Sequence, residues 1–202
     1  MRFISIQFNG VKYILGNRLM FFSKKKKVNG YVIKPKANLH RANLDNAKLI
    51  NADLHEANLY AAKLSCTDLT NAKLSHVDLS NAKLDDANLN NADLSYAKLT
   101  GANFSQANLS NANMTGAKVD RTILRQAILS KADLSKADMR GSDLEQADLR
   151  NANLRETDLR GSDLQNANLT GADLSGAKLD GANLSNVQSD ESTIFPDGYS
   201  LN

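Results

Sequence analysis

Every fifth residue from Leu39 to Leu184 is leucine or a close apolar substitute, thirty positions in succession without an insertion or a deletion. Two residues ahead of each stands alanine in 24 of the 30 units, and the residue directly ahead is nearly always asparagine, aspartate or lysine. A period of five matches neither the α-helix nor the β-strand, so either element would scatter these leucines over several faces. The beat requires a geometry in which each unit turns the chain by one side of a regular coil, the leucine always inward. Units of this kind bury nothing alone and gain stability only by stacking on one another.

Units such as Ala42-Asn43-Leu44-Asp45-Asn46 and Ala172-Asp173-Leu174-Ser175-Gly176 resemble the pentapeptide-repeat family, over about three quarters of the chain. The resemblance implies an all-β fold, the right-handed quadrilateral β-helix, a solenoid with four units to a coil. It implies no single function, because members of the family serve many purposes. On that geometry residues 20 apart stack at roughly 4.8 Å, and thirty units make about 7.5 coils and a rod of roughly 36 Å. The unbroken phase predicts one straight rod with no loop projecting from its middle.

The inward positions follow from the same geometry. Phe104, Met114, Val119 and Met139 replace the central leucine and are expected to fill space. The alanine position reads as a tight interior corner, admitting only Thr67, Val77, Thr122, Ser142, Thr157 and Ser162. Thr122, Ser142 and Ser162 should stack as an inward hydroxyl column. Those hydroxyls must then bond to the neighbouring backbone or to one another, since an unpaired buried polar group is costly.

Three segments follow: a basic N-terminal arm or cap over residues 1–36, the repeat over 37–186, and a C-terminal cap or tail over 187–202. In the arm, Ile4, Ile6 and Phe8 alternate with polar residues, Asn9-Gly10 follows, and Val11, Tyr13 and Leu15 come at alternate positions again. This predicts a β-hairpin with a two-residue turn. A second Asn-Gly pair, Asn29-Gly30, separates Val28 from Tyr31 to Ile33. Hairpin strands over the first coil would blunt an edge that otherwise invites pairing with another chain, and Pro35 marks the junction. At the far end the repeat is expected to stop after Leu184, because the next central position is Ser189. The tail from Thr193 to Gly198 resembles closing segments of some cyanobacterial family members, and Ile194 or Phe195 is expected to cover the last coil.

Charge divides the chain. Residues 1–36 carry nine Lys or Arg and no acid, whereas the remainder carries a net charge of −6. The basic arm could dock on the acidic rod, on anionic lipid or on nucleic acid. Its densest part, Lys24, Lys25, Lys26 and Lys27 beside Met20, Phe21 and Phe22, suits an anionic surface, the plainer reading being a solvated loop after a capping element. No apolar run reaches the roughly 20 residues needed to cross a bilayer. Asn17 and Arg18 interrupt the apolar stretch at the N-terminus, which makes it a poor secretory signal. The cytoplasm is the expected compartment, and the lone Cys66 permits no intramolecular disulfide.

Nothing in the sequence calls for catalysis, a metal or a cofactor. His40, His55 and His76 lack metal-ligand spacing, although stacking should place Glu56, His76 and Tyr96 in one outward column with His55 nearby. A solid leucine interior leaves no obvious cleft. The sharpest departure from the beat is Arg121-Thr122-Ile123-Leu124-Arg125-Gln126-Ala127-Ile128-Leu129, where two isoleucines replace the polar residue before the leucine. Ile123 and Ile128 should face outward on adjacent sides, flanked by Arg121 and Arg125, as a contact for a protein partner. Plain tolerance of two exposed residues, or local packing against arm or tail, is the competing reading. Arg140 and Arg160 should align beside Asp138 and Asp158 as a self-compensating charge ladder. These features favour a non-enzymatic interaction or scaffold protein. The alternative implied by the resemblance is a DNA-mimicking modulator or protector of type II topoisomerase (gyrase), against which stand the stacked pairs Lys63 with Lys83 and Lys98 with Lys118.

Overall fold

The computed structural model describes residues 27–199 in full and, nearer the N-terminus, the backbone of two strands. These strands, β1 (Ser5–Phe8) and β2 (Val11–Ile14), pair antiparallel with Ile6 opposite Tyr13 and Phe8 opposite Val11. The Asn9-Gly10 turn between them lies outside the described residues. A second hairpin joins β3 (Lys27–Val28) to β4 (Tyr31–Val32). Its linking residues Asn29 and Gly30 have φ of 49° and 84°, the paired positive values of a hairpin turn whose twist matches its strands. Val28 and Tyr31 pack against the end of the core, and Asn29 Nδ2 donates to the Asn43 carbonyl at 3.3 Å.

From Ala37 onward the beat becomes a coil. Four ladders of parallel bridges begin at Asn38, Asn43, Lys48 and Asp53 and climb to Lys178, Asn183, Gln188 and Ile194, in steps of twenty residues until the last. Each unit therefore forms one side of a four-sided turn. The backbone donors are used in a fixed order. The Leu44 N–H donates to the Lys63 carbonyl of the next coil at 2.8 Å, Lys63 N–H returns to Ala42 at 2.9 Å, and Ala47 N–H closes the corner on Leu44 at 3.0 Å. The same pattern recurs along the rod, which satisfies the backbone without long strands. At the second residue after each leucine the chain takes a left-handed φ, as at Asn46 (59°) and Asn71 (56°). Asparagine and glycine tolerate that conformation best, which accounts for their frequency there.

Inside, the leucines from Leu44 to Leu174 are sealed from solvent, with Phe104, Met114, Val119 and Met139 among them. The corner position is equally closed. Its polar occupants are all buried and all paired: Thr122 Oγ1 donates to Leu99 O at 2.9 Å, Ser142 Oγ to Met139 O at 2.7 Å and Ser162 Oγ to Leu159 O at 2.7 Å. Thr67 and Thr157 do the same toward Leu44 and Leu134. The two residue types differ in reach. Threonine hydroxyls bond to the coil before them, and serine hydroxyls to their own turn.

At the C-terminal end the backbone ladder outlasts the leucine repeat. The ladder does not end with the last leucine, since Gln188 bridges Asn168 and accepts the Leu169 N–H at 2.7 Å. It then takes one extra residue and continues, with Ile194 bridging Asp173 and accepting the Leu174 N–H at 2.7 Å. Thr193 occupies the corner, its hydroxyl on the Leu169 carbonyl at 3.1 Å, as Thr157 does on Leu134. The slip falls in Asp190 to Ser192, where Asp190 Oδ1 accepts the Ser192 N–H at 3.1 Å. The ladder needs backbone groups, not leucine, so it outlasts the apolar beat. Phe195 takes the central place, half-buried against the core and stacked on Tyr199 at 5.5 Å. Ile194, in the ladder position, points outward and is 50% exposed.

Candidate interaction surface

Where the residue ahead of the leucine is asparagine or aspartate, it has a job in the backbone. Its side-chain oxygen accepts the N–H two residues on, as in Asp78 from Ser80 at 3.0 Å, Asn108 from Ser110 at 3.0 Å and Asp133 from Ser135 at 2.9 Å. Asparagine and aspartate make such local turns readily. Their enrichment is therefore structural, and the ladder carboxylates are already engaged.

Against that pattern Ile123 and Ile128 stand out. Ile123 bridges Asn103 and Asp143 on one side of the coil, and Ile128 bridges Asn108 and Asp148 on the next. Both face solvent, 39% and 40% exposed. The corner between them forms an open recess of about 350 Å³ lined by Ser105, Gln106, Arg125, Gln126, Glu145 and Gln146. The flanking arginines are held. Arg121 Nε and Nη2 donate to Asp120 Oδ2 at 3.2 and 3.0 Å, while Arg125 bonds Asp143 at 2.5 Å and pairs with Glu145 at 2.7 Å. The Asp143 carboxylate raises the Arg125 pKa further above its ordinary value. The two isoleucines thus sit in a fixed polar frame.

Farther along, arginine and aspartate combine two residues apart. Arg140, Arg150 and Arg160 each fork onto Asp138, Asp148 and Asp158, with both bonds between 2.6 and 2.8 Å. The guanidinium holds each of these carboxyls below its ordinary pKa, through the hydrogen bonds first. Arg155 reaches instead to Asp173 of the next coil at 2.9 Å. The alignment of Arg140 with Arg160 was legible from the twenty-residue step. The forks were not, since they arise within a single unit and depend on the turn that brings residue i+2 back over residue i.

The outward column at the corner of Glu56 holds as expected. His76 and Tyr96 stack at 5.3 Å and 11°, Glu56 pairs with Lys36 at 3.1 Å, and His55 Nδ1 lies 2.7 Å from Asp53. A second stack, His40 on Tyr60 at 5.3 Å and 8°, was not anticipated, though the same twenty-residue spacing contained it. Among the described residues no group of three or more His, Cys, Asp or Glu is placed to hold a metal ion, and no helix is long and apolar enough to cross a membrane. Of the lysine cluster, Lys24, Lys25 and Lys26 lie outside the described residues, while Lys27 is exposed in β3.

The profile for pentapeptide repeats matches residues 37–75, 72–111, 107–146 and 147–186. Among solved structures, Rfr23 from the cyanobacterium Cyanothece 51142 shares 39% identity over 46% of this chain, at a TM-score of 0.46. This chain spans 63% of the length of Rfr23. HetL, involved in heterocyst differentiation regulation in the cyanobacterium Nostoc sp. strain PCC 7120, shares 30% identity over 83% of this chain and 89% of its own, at a TM-score of 0.28. QnrB1, a plasmid-mediated fluoroquinolone resistance protein, shares 19% over 78% of this chain and 92% of its own, at a TM-score of 0.42. No curated protein matches the chain.

Proposed function

This chain belongs to the pentapeptide-repeat family, and on that premise we propose that it is a non-enzymatic interaction protein whose rigid β-helix presents Ile123 and Ile128 to a partner protein. One observation carries the reading. Of the ladder positions from 38 to 183, only these two are apolar, and they stand on adjacent sides with a recess between them. Exposed apolar side chains inside a polar frame are the usual make-up of a contact surface. Arg121 and Arg125, tied to Asp120, Asp143 and Glu145, form a frame that needs no ordering when a partner arrives. Within the arm of residues 1–36, the part from Lys27 onward serves to cover the start of the rod, a role supported by Val28 and Tyr31 on the core.

The test is capture from cell extract by the full chain and by the double variant Ile123→Glu, Ile128→Glu. The variant should melt as the parent does and lose the captured protein. Capture at the parental level would place the contact elsewhere. A duplex-mimicking inhibitor of type II topoisomerase is the less favoured alternative. Lys63 stacks on Lys83 and Lys98 on Lys118, interrupting two sides, and the ladder carboxylates are bound to their own backbone. Loss of gyrase supercoiling on addition of the purified chain would reverse that preference.

A further inference from the structure

The two ends of the rod are unlike. At the start, Val28, Tyr31 and Asn29 lie over the first coil. At the finish, the last coil has an open edge: among the described residues nothing accepts the N–H groups of Leu179, Gly181, Leu184 and Asn186, whose counterparts one coil earlier all donate to the coil above. Leu179, Ala182, Leu184 and Val187 are only half-buried there. Beside them runs an open groove of about 450 Å³, bounded by residues 177–180 and by the turn from Pro196 to Tyr199. Asp180 and Asp197 line it with Lys178, and Asp190 and Glu191 are exposed in the turn that leads to it.

The same chain carries the complement. Residues 1–26 hold six lysines or arginines and no acid. The β1–β2 hairpin within them forms a sheet of two strands, joined to no other strand among the described residues, and such a hairpin is marginal until a further strand or a packed surface is added. An open edge of backbone donors beside exposed leucines is the template that a strand pairs with. We infer that the open edge of the last coil receives the basic N-terminal arm of a second copy of this chain. The arm joins its own rod at the opposite end. To reach its own last coil it would have to cross seven ladder steps, roughly 34 Å, with residues 15–26 drawn out nearly straight. A second copy supplies the same contact without that extension.

The experiment is sedimentation equilibrium of the full chain from micromolar upward, at low salt and at about 1 M salt, where the screening length falls to about 3 Å. The average mass should rise with concentration at low salt and fall back at high salt. Reversing the rim with Asp180→Lys, Glu191→Lys and Asp197→Lys should weaken association about tenfold or more. Asp190 is left in place because it holds the turn. Adding Lys24→Glu, Lys25→Glu and Lys26→Glu to that chain should restore association, since the charges are then exchanged. Melting temperatures of all three chains would show that each remains folded. A chain that stays monomeric at every concentration overturns the inference, and so does association that survives the rim reversal.

Discussion

The rod is built twice over from the same backbone, and its two halves are decorated differently. From Asn38 to Gly116 the outer columns carry lysine, asparagine and the two stacks His40–Tyr60 and His76–Tyr96. From Lys118 to Gln188 they carry arginines anchored on acids, Arg121, Arg125, Arg140, Arg150, Arg155 and Arg160. The ladders run through both halves without a change of step. Decoration is thus free to vary because the backbone and the leucines, not the surface pairs, hold the coil. Ile123 and Ile128 stand on the arginine side of this boundary, where neighbouring side chains are most firmly tethered.

If the core is common to both halves, damage to it should be equally severe in each and far larger than any surface change. Leu124→Asp, below the isoleucines, and Leu64→Asp, in the lysine half, both place a charge in a sealed interior. Each should cost at least about 3 to 5 kcal/mol and abolish the cooperative melt followed by circular dichroism. Leu184→Asp, at the half-buried last coil, should cost less than half of that. Equal losses at Leu124 and Leu184 would mean that the last coil is as closed as the middle.

Corner hydroxyls offer a finer contrast. Thr122 donates across to Leu99 of the preceding coil, whereas Ser142 bonds within its own turn. Thr122→Ala removes an inter-coil bond and a buried methyl and should cost about 1 to 2 kcal/mol. Ser142→Ala restores the residue most common at that corner and should change stability by less than about 0.5 kcal/mol. Denaturant midpoints would rank the two, and an equal response would deny the inter-coil bond any special weight.

The fold was largely legible in the sequence because the sealed leucines and the outward isoleucines follow from the five-residue phase, and the ladder from the four units to a coil that the family resemblance implies. What was not legible depends on backbone direction within a unit. The cap from Asp78 to Ser80 and the fork from Arg150 to Asp148 lie two residues apart, a spacing that has no special meaning until the turn is known. The resumption at Thr193 and Ile194 was hidden for another reason. One inserted residue breaks a count of fives, while the hydrogen-bonded ladder absorbs it at Asp190 to Ser192.

In the first half, aromatic stacking depends on what lies above it. A methyl group placed on Gly116 would stand 2.8 Å from Tyr96 Cε1, at a left-handed φ of 64°. Gly116→Ala should cost about 1 kcal/mol, part strain and part displaced ring. In a Tyr96→Ala background the same change should cost only the strain, and a double-mutant cycle by thermal melting would isolate the difference. Additive effects would show that the ring gives way freely.

The smallest effect belongs to the arginine forks, and pH separates it from the rest. The carboxyls of Asp138, Asp148 and Asp158 are held below their ordinary pKa by Arg140, Arg150 and Arg160. A depressed folded-state value means that the unfolded chain takes up protons first as pH falls. The stabilisation is therefore complete above the unfolded value of about 3.9 and is lost as pH drops through the folded values below it. The guanidinium groups are exposed, so solvent screens each fork and its contribution at neutral pH is small. Arg150→Gln should lower stability slightly at pH 7 and by nothing once Asp148 is protonated. In the first half Lys83→Gln, at a lysine stacked between Lys63 and Asn103 and in no ion pair among the described residues, should show no such pH dependence. A common acid response in both halves would mean that acid acts on the whole rod and not on the forks, and the distinction between the halves would then be one of appearance only.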